Sequence, residues 1–124
     1  MMRTIGAEVM SVGDGVCELA APLLPTMGQQ HGAGHAGVTF ALGDTAAGYA
    51  ALTLIEPGRE VMTAEMKINL LAPALGVRLI ARGRVVRPGR RLVVVTAEVE
   101  AEAADGARKL IAILQGTMVP VDPA

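Results

Sequence analysis

Apolar and polar positions alternate with period two along the second half of this chain, and lose that period entirely in a stretch before it. In residues 61–71, Glu65, Lys67 and Asn69 alternate with Ala64, Met66, Ile68 and Leu70. In 77–86, Arg78, Arg82 and Arg84 alternate with Val77, Leu79, Ala81 and Val85. In 92–102, Glu98, Glu100 and Glu102 alternate with Val93, Val95, Ala97, Val99 and Ala101. Each run predicts a strand with one buried face, and a last strand is expected over about 108–119. Arg87-Pro88-Gly89-Arg90 and Ala104-Asp105-Gly106 are turn sequences between strands, which should therefore be antiparallel neighbours. Near the N-terminus, residues 6–11 and 16–21 flank Gly13-Asp14-Gly15 and predict a short hairpin.

Between Leu19 and Ile55 the only formally charged residue is Asp44. Pro22, Pro25, Gly28, Gln29, Gln30, His31 and His35 break the first half of this stretch, and the rest carries an Asp near its middle, so a membrane span is a poor explanation. A helix buried in the protein fits better, from about His35 to about Leu54, preceded by Gly32 and Gly34 and stopped by Glu56-Pro57-Gly58. No face of it is polar, and such a helix must be covered on all sides. Gly37, Gly43 and Gly48 cost helix propensity and would be tolerated if another backbone lies close by.

The expected order is a hairpin, one long apolar helix, then four antiparallel strands. The fold class is α+β, with a curved antiparallel sheet wrapped around a single helix. Residues 1–124 are expected to form one domain. The strand edges stay open, and pairing between two chains would cover one of them.

Composition narrows the function classes. Apolar residues make up 52% and charged residues 19% of 124 residues, which excludes a disordered tail. Eleven Lys and Arg against twelve Asp and Glu argue against nucleic acid as a partner. With one Tyr, one Phe and no Trp, stacking platforms for bases are not expected. The lone Cys17 excludes an internal disulfide framework and reads as a buried, inert side chain. No apolar leader is visible at the N-terminus, so a cytoplasmic setting is expected.

Two features carry candidate chemistry. Gln29-Gln30-His31-Gly32-Ala33-Gly34-His35-Ala36-Gly37 gathers small and polar residues at the helix start, where backbone N–H groups are free and the dipole is positive. Amides there can hold an oxyanion, though a tight loop that merely starts a helix would look the same. Asp44 is a carboxylate in the most apolar part of the chain. It is either tied to neighbouring backbone or poised as a general base or nucleophile. It lies nine residues after His35, about 13 Å along a helix. Attack on a carbonyl held at the amides needs about 3 to 3.5 Å. One straight helix cannot supply both groups, whereas two antiparallel helices across a two-fold axis can, so a catalytic site would be shared between subunits.

From Gly34-His35-Ala36-Gly37 to Asp44-Thr45-Ala46, the chain resembles the signature of PaaI-like hotdog-fold acyl-CoA thioesterases. Residues 65–73 and 83–91 resemble two further blocks of that family. The resemblance covers about residues 28 to 120 and implies the hotdog fold and hydrolysis of an acyl-CoA thioester to acid and CoA. It further implies that the amide of Ala36, with Gly37 next, polarises the carbonyl. Asp44 would activate water or attack directly. Gln29 would help hold the carbonyl or water, Thr63 would support the water, and His35 would orient the loop. Family members often carry Gly where this chain has Ala36. Gln30 adjoins Gln29 and would exchange roles with it after a one-residue loop change. Strict alternation puts Thr63 on the face of Glu65 and Lys67, so its role needs a bulge or a site reached from that face.

Arg87, Arg90 and Arg91 cluster at a turn and are candidates for the CoA phosphates, with a solvated hairpin tip as the other reading. Arg78, Arg82 and Arg84 read as a solvated face. His31 has no partner at metal-ligand spacing. Met27 and Met62 are candidate acyl contacts. The expected enzyme is a homodimer or homotetramer acting on a small-molecule acyl-CoA, with no cofactor, metal, nucleic acid or membrane partner. The alternatives are an idle hotdog protein that binds acyl-CoA or a fatty acyl group, and a structural oligomer. A hotdog dehydratase pairs Asp and His about five residues apart on one chain, which the nine-residue spacing here does not match.

Overall fold

The computed structural model describes residues 1–24 and 33–123. Six strands form one antiparallel sheet: β1 (Glu8–Gly13), β2 (Val16–Pro22), β3 (Glu60–Leu70), β4 (Arg78–Arg87), β5 (Val93–Glu102) and β6 (Arg108–Val121). Their spatial order is β1-β2-β4-β5-β6-β3, so β1 and β3 are the two edges. Each expected strand is present with ends shifted by a few residues. The β1–β2 hairpin turns at Asp14 and Gly15, both at positive φ (52° and 78°). This is the backbone of a two-residue turn whose twist matches the strands. A four-residue helix, α1 (Met2–Ile5), precedes β1. It is too short to leave a periodic pattern, and the sequence gives no sign of it.

The long helix, α2, spans Ala36–Leu52, with His35 as its N-cap and Thr53 as its C-cap. Thr39, Leu42, Gly43, Ala46, Ala47, Ala50 and Ala51 are buried on its sheet-facing side. They meet Leu19 of β2, Leu79 and Ala81 of β4, Val95 and Val99 of β5, and Leu114 and Met118 of β6. Burying each large aliphatic side chain contributes about 1.5–3 kcal/mol. The short alanine stripe lets the helix backbone lie almost on the sheet. A Cβ placed on Gly83 would stand 2.3 Å from the Ala46 carbonyl carbon, so β4 has no room for a side chain there. The close backbone approach is thus met at Gly83 of the sheet. Gly43 of the helix faces the side chains of Leu114 and Val99 instead.

One expectation is corrected. The sequence predicts a helix covered on all sides, but the described residues leave part of one side open. Gly37, Tyr49 and Leu52 are exposed, and a groove of about 880 Å³ runs along that open side past Phe40, Ala41, Asp44 and Thr45. A six-stranded sheet shields one face of a helix, and among the described residues the opposite face has no second layer.

Candidate active site on the central helix

Asp44 sits in the middle of α2, on the flank that faces edge strand β3. It is only partly buried, so the sequence picture of a carboxylate sealed in apolar surroundings does not hold for the single chain. Its partner among the described residues is a side chain: the Thr63 hydroxyl donates to Asp44 Oδ1 at 2.8 Å.

Thr63 reaches the helix because β3 bulges. Thr63 pairs with Met118 and Glu65 pairs with Thr117, which leaves Ala64 as one extra residue in β3. An extra residue reverses the facing of everything beyond it. Thr63 therefore points inward, with its oxygen 3.4 Å from the Met118 sulfur. Glu65 points outward and accepts from the Thr117 hydroxyl at 2.8 Å.

At the helix start, the His35 backbone is extended (φ −66°, ψ 135°) and its ring caps the helix. The Gly37 N–H donates to His35 Nδ1 at 2.8 Å. Since Nδ1 accepts, the neutral ring carries its proton on Nε2. The Val38 N–H donates to the His35 carbonyl at 3.0 Å. The amide of Gly37 is thus engaged within the cap, while that of Ala36 has no partner among the described residues. Asp44 lies eight residues further along, about 12 Å away on the same helix. The structure brings Asp44 and Thr63 together, and places His35, Ala36 and Gly37 together a full two turns away. Gln29, Gln30, Met27 and His31 lie outside the described residues.

At the other end of α2, a pocket of about 900 Å³ lies between the helix C-terminus and the β4–β5 turn. Arg90 and Arg91 line it, joined by Arg59 at the foot of β3 and by Leu54 and Ile55. Arg87 is not among its described walls; it sits on β4, opposite Val94 of β5. A lone arginine after Pro57-Gly58, Arg59 carries no sign of these neighbours in the sequence. Its Nε contacts Asp122 Oδ1 at 3.1 Å and its Nη2 donates to the Pro120 carbonyl at 3.1 Å. Met62, a candidate acyl contact, is exposed and pairs with Val119 on the edge strand.

On the outer face, Glu102 accepts from Arg78 Nε at 2.7 Å and Arg108 Nε at 2.9 Å, linking β4, β5 and β6. These hydrogen bonds hold the Glu102 carboxyl below the usual range and raise the Arg78 guanidinium further. Arg78 is therefore a structural ion-pair partner as well as a surface residue. Cys17 is fully buried, and burial followed by the nearby Glu18 charge pushes its thiol up. Among the described residues, no group of three or more His, Cys, Asp or Glu side chains is placed to hold a metal ion. None of the described helices is long and apolar enough to cross a membrane.

A family model described as the thioesterase superfamily matches residues 31–106, well over half of the chain. The chain belongs to the thioesterase superfamily. A thioesterase family protein from Silicibacter pomeroyi is 40% identical, with a TM-score of 0.95 over 98% of this chain and 89% of that one. The PaaI protein of E. coli, from the phenylacetic acid degradation operon, has the same fold. Its TM-score is 0.85 at 22% identity, over 99% of this chain and 85% of that one. A Saccharolobus solfataricus protein named for an ascribed esterase activity is 40% identical over 85 residues, 68% of this chain. The chain spans about half (53%) of that relative's length. The sheet wrapped on one helix is the hotdog fold of PaaI-like thioesterases, as the resemblance in the sequence implies.

Proposed function

We propose that the chain hydrolyses acyl-CoA thioesters to free acid and CoA at a site completed by a second copy. The observation that carries this reading is the separation of its two chemical halves. Asp44 with Thr63, and the Ala36 amide, which has no partner among the described residues, lie about 12 Å apart along one helix. Two-fold pairing of the open β3 edge, 11 residues long, would set a second α2 antiparallel beside the first. Asp44 of one chain then faces the Ala36 end of the other, and the open helix side gains its cover.

In that arrangement the thioester oxygen accepts from the Ala36 N–H, assisted by the helix dipole. Asp44 takes a proton from water as the water oxygen bonds to the carbonyl carbon, and the tetrahedral intermediate collapses with loss of CoA thiolate, which takes up that proton. If Asp44 bonds to the carbonyl carbon itself, loss of the thiolate leaves a mixed anhydride, which water then hydrolyses to the free acid. Thr63 holds one carboxylate oxygen and leaves the other for the reacting atom. His35 locks the helix start so that the Ala36 amide points outward, and Gly37 gives its own amide to that lock. Gln29 is assigned to the carbonyl or the water. Arg90 and Arg91, with Arg59 added, suit the phosphates of the nucleotide end, because arginine forks match phosphate oxygens. Their pocket is about 15 Å from Asp44 along the helix, within the reach of an extended pantetheine arm. CoA enters as part of the substrate, and the chemistry described calls on no other cofactor.

The test is thiol release from a panel of short-chain, long-chain and aryl acyl-CoAs, with Asp44→Asn run alongside. Turnover that falls by ~100-fold or more in the variant supports the reading, that being the low end of general-base contributions. Tight acyl-CoA binding without turnover would instead favour the idle binding protein.

A further inference from the structure

The start of α2 also borders a separate cavity of about 320 Å³, between the helix and the connection from β3 to β4. Gly34, Ala36 and Thr39 form one wall, and Leu70, Leu71 and Ile111 are among the residues of the other. Both walls are tied to the frame. The Gly34 N–H donates to the Ala74 carbonyl at 2.8 Å, and the Leu71 N–H donates to the Ile111 carbonyl at 2.7 Å. A second bulge shapes the floor. Val99 pairs with Ala112 and Glu100 with Leu110, so Ile111 is an extra residue in β6. Ile111 and Thr39 are each 1% exposed. Thr39 contributes the one polar side chain to the described walls.

We propose that this cavity receives the acyl group of the thioester; the inference rests on the thioesterase reading and deepens it. Ala36 belongs both to the cavity wall and to the proposed oxygen site. A carbonyl held at its N–H therefore places the acyl carbons at the cavity mouth, at the opposite end of α2 from that chain's own arginine pocket. Apart from Thr39 the described wall side chains are apolar, which suits a hydrocarbon group better than a nucleotide. At about 30 Å³ for each water-sized unit, the space takes roughly ten non-hydrogen atoms. That admits a single-ring aryl acyl group or a short to medium aliphatic chain, and is too small for a long-chain fatty acyl group. Leu71, about half exposed at the mouth, sets the depth available without forming part of the buried core.

The test measures kcat/KM for a series from acetyl- to palmitoyl-CoA and for benzoyl-CoA, in the unaltered protein, Leu71→Trp and Leu71→Ala. The expected profile falls by ~10-fold or more between decanoyl- and palmitoyl-CoA, the scale on which hydrophobic pockets discriminate. Leu71→Trp should lower the octanoyl-to-acetyl ratio, and Leu71→Ala should move the cut-off to longer chains. If both variants keep the unaltered ratios while still turning over acyl-CoA, the cavity is not the acyl site and the thioesterase reading stands. If no acyl-CoA is hydrolysed by the unaltered protein, both fall.

Discussion

The Thr63 hydroxyl donates to Asp44 Oδ1 at 2.8 Å, across the gap between an edge strand and the central helix. The contact exists because Ala64 is an extra residue in β3; without it, Thr63 would face outward with Glu65. A hydrogen bond to a charged group contributes about 1.5–3 kcal/mol. Thr63→Val, which keeps the shape and removes the donor, should therefore lower kcat by roughly 10- to 150-fold if the carboxylate is catalytic. Thr63→Ser should keep most of the activity. Equal rates in the valine and serine variants would show that the hydroxyl does not position Asp44.

The ring of His35 lies over Gly37, and a Cβ on Gly37 would stand 2.9 Å from Nδ1. Gly37→Ala must push the ring off its acceptor position. Losing the cap costs about 1 kcal/mol, and replacing a helical glycine with alanine gains about as much. Stability should therefore change little, while the helix start loses its lock. We expect a melting temperature close to that of the unaltered protein and a kcat reduced by ~10-fold or more, since small misplacements of reacting groups carry large rate penalties. A fall in stability with kcat intact would reverse this assignment, making the cap structural only.

Acid stability should depend on Glu102. Hydrogen bonds from Arg78 and then Arg108 hold its carboxyl below the ordinary value in the folded chain. A group depressed on folding stabilises the protein above its unfolded value, about 4.3 for Glu, and loses that contribution as pH falls through the lower folded value. Thermal melts from neutral pH to pH 2 should show a steeper decline below about pH 4 in the unaltered protein than in Glu102→Gln. Parallel curves would mean that the ion pairs are solvated in solution.

The main helix and the strands of the second half were legible because their periods differ, and because Pro57-Gly58 and the two later turns separate them. The need for a bulge near Thr63 was legible too, as a conflict between alternation and its assigned role. The residue that bulges was not, since pairing against β6 decides it. Gly83 gives no local sign of its task, which depends on which point of β4 the helix crosses. Arg59 joins the arginine turn only because β3 lies at the far edge beside β6, a placement that sequence order does not reveal. The carboxylate of Asp44 proved more open than an apolar stretch suggests, because the described residues leave a groove along that side of the helix.

The central claim is that Asp44 of one chain serves the Ala36 amide of another, and subunit complementation addresses it directly. Ala36 is the first residue of α2, where proline is tolerated, and His35 before it already has the extended backbone that a following proline requires. Ala36→Pro therefore removes the oxyanion donor and keeps the helix, with an expected loss of ~100-fold or more in kcat. Asp44→Asn should be similarly weak. After the two inactive proteins are unfolded together and refolded as mixed oligomers, a site shared across a two-fold should recover up to about a quarter of full activity, because half of the dimers are mixed and each holds one intact site. No recovery from verified mixed oligomers would contradict the shared site.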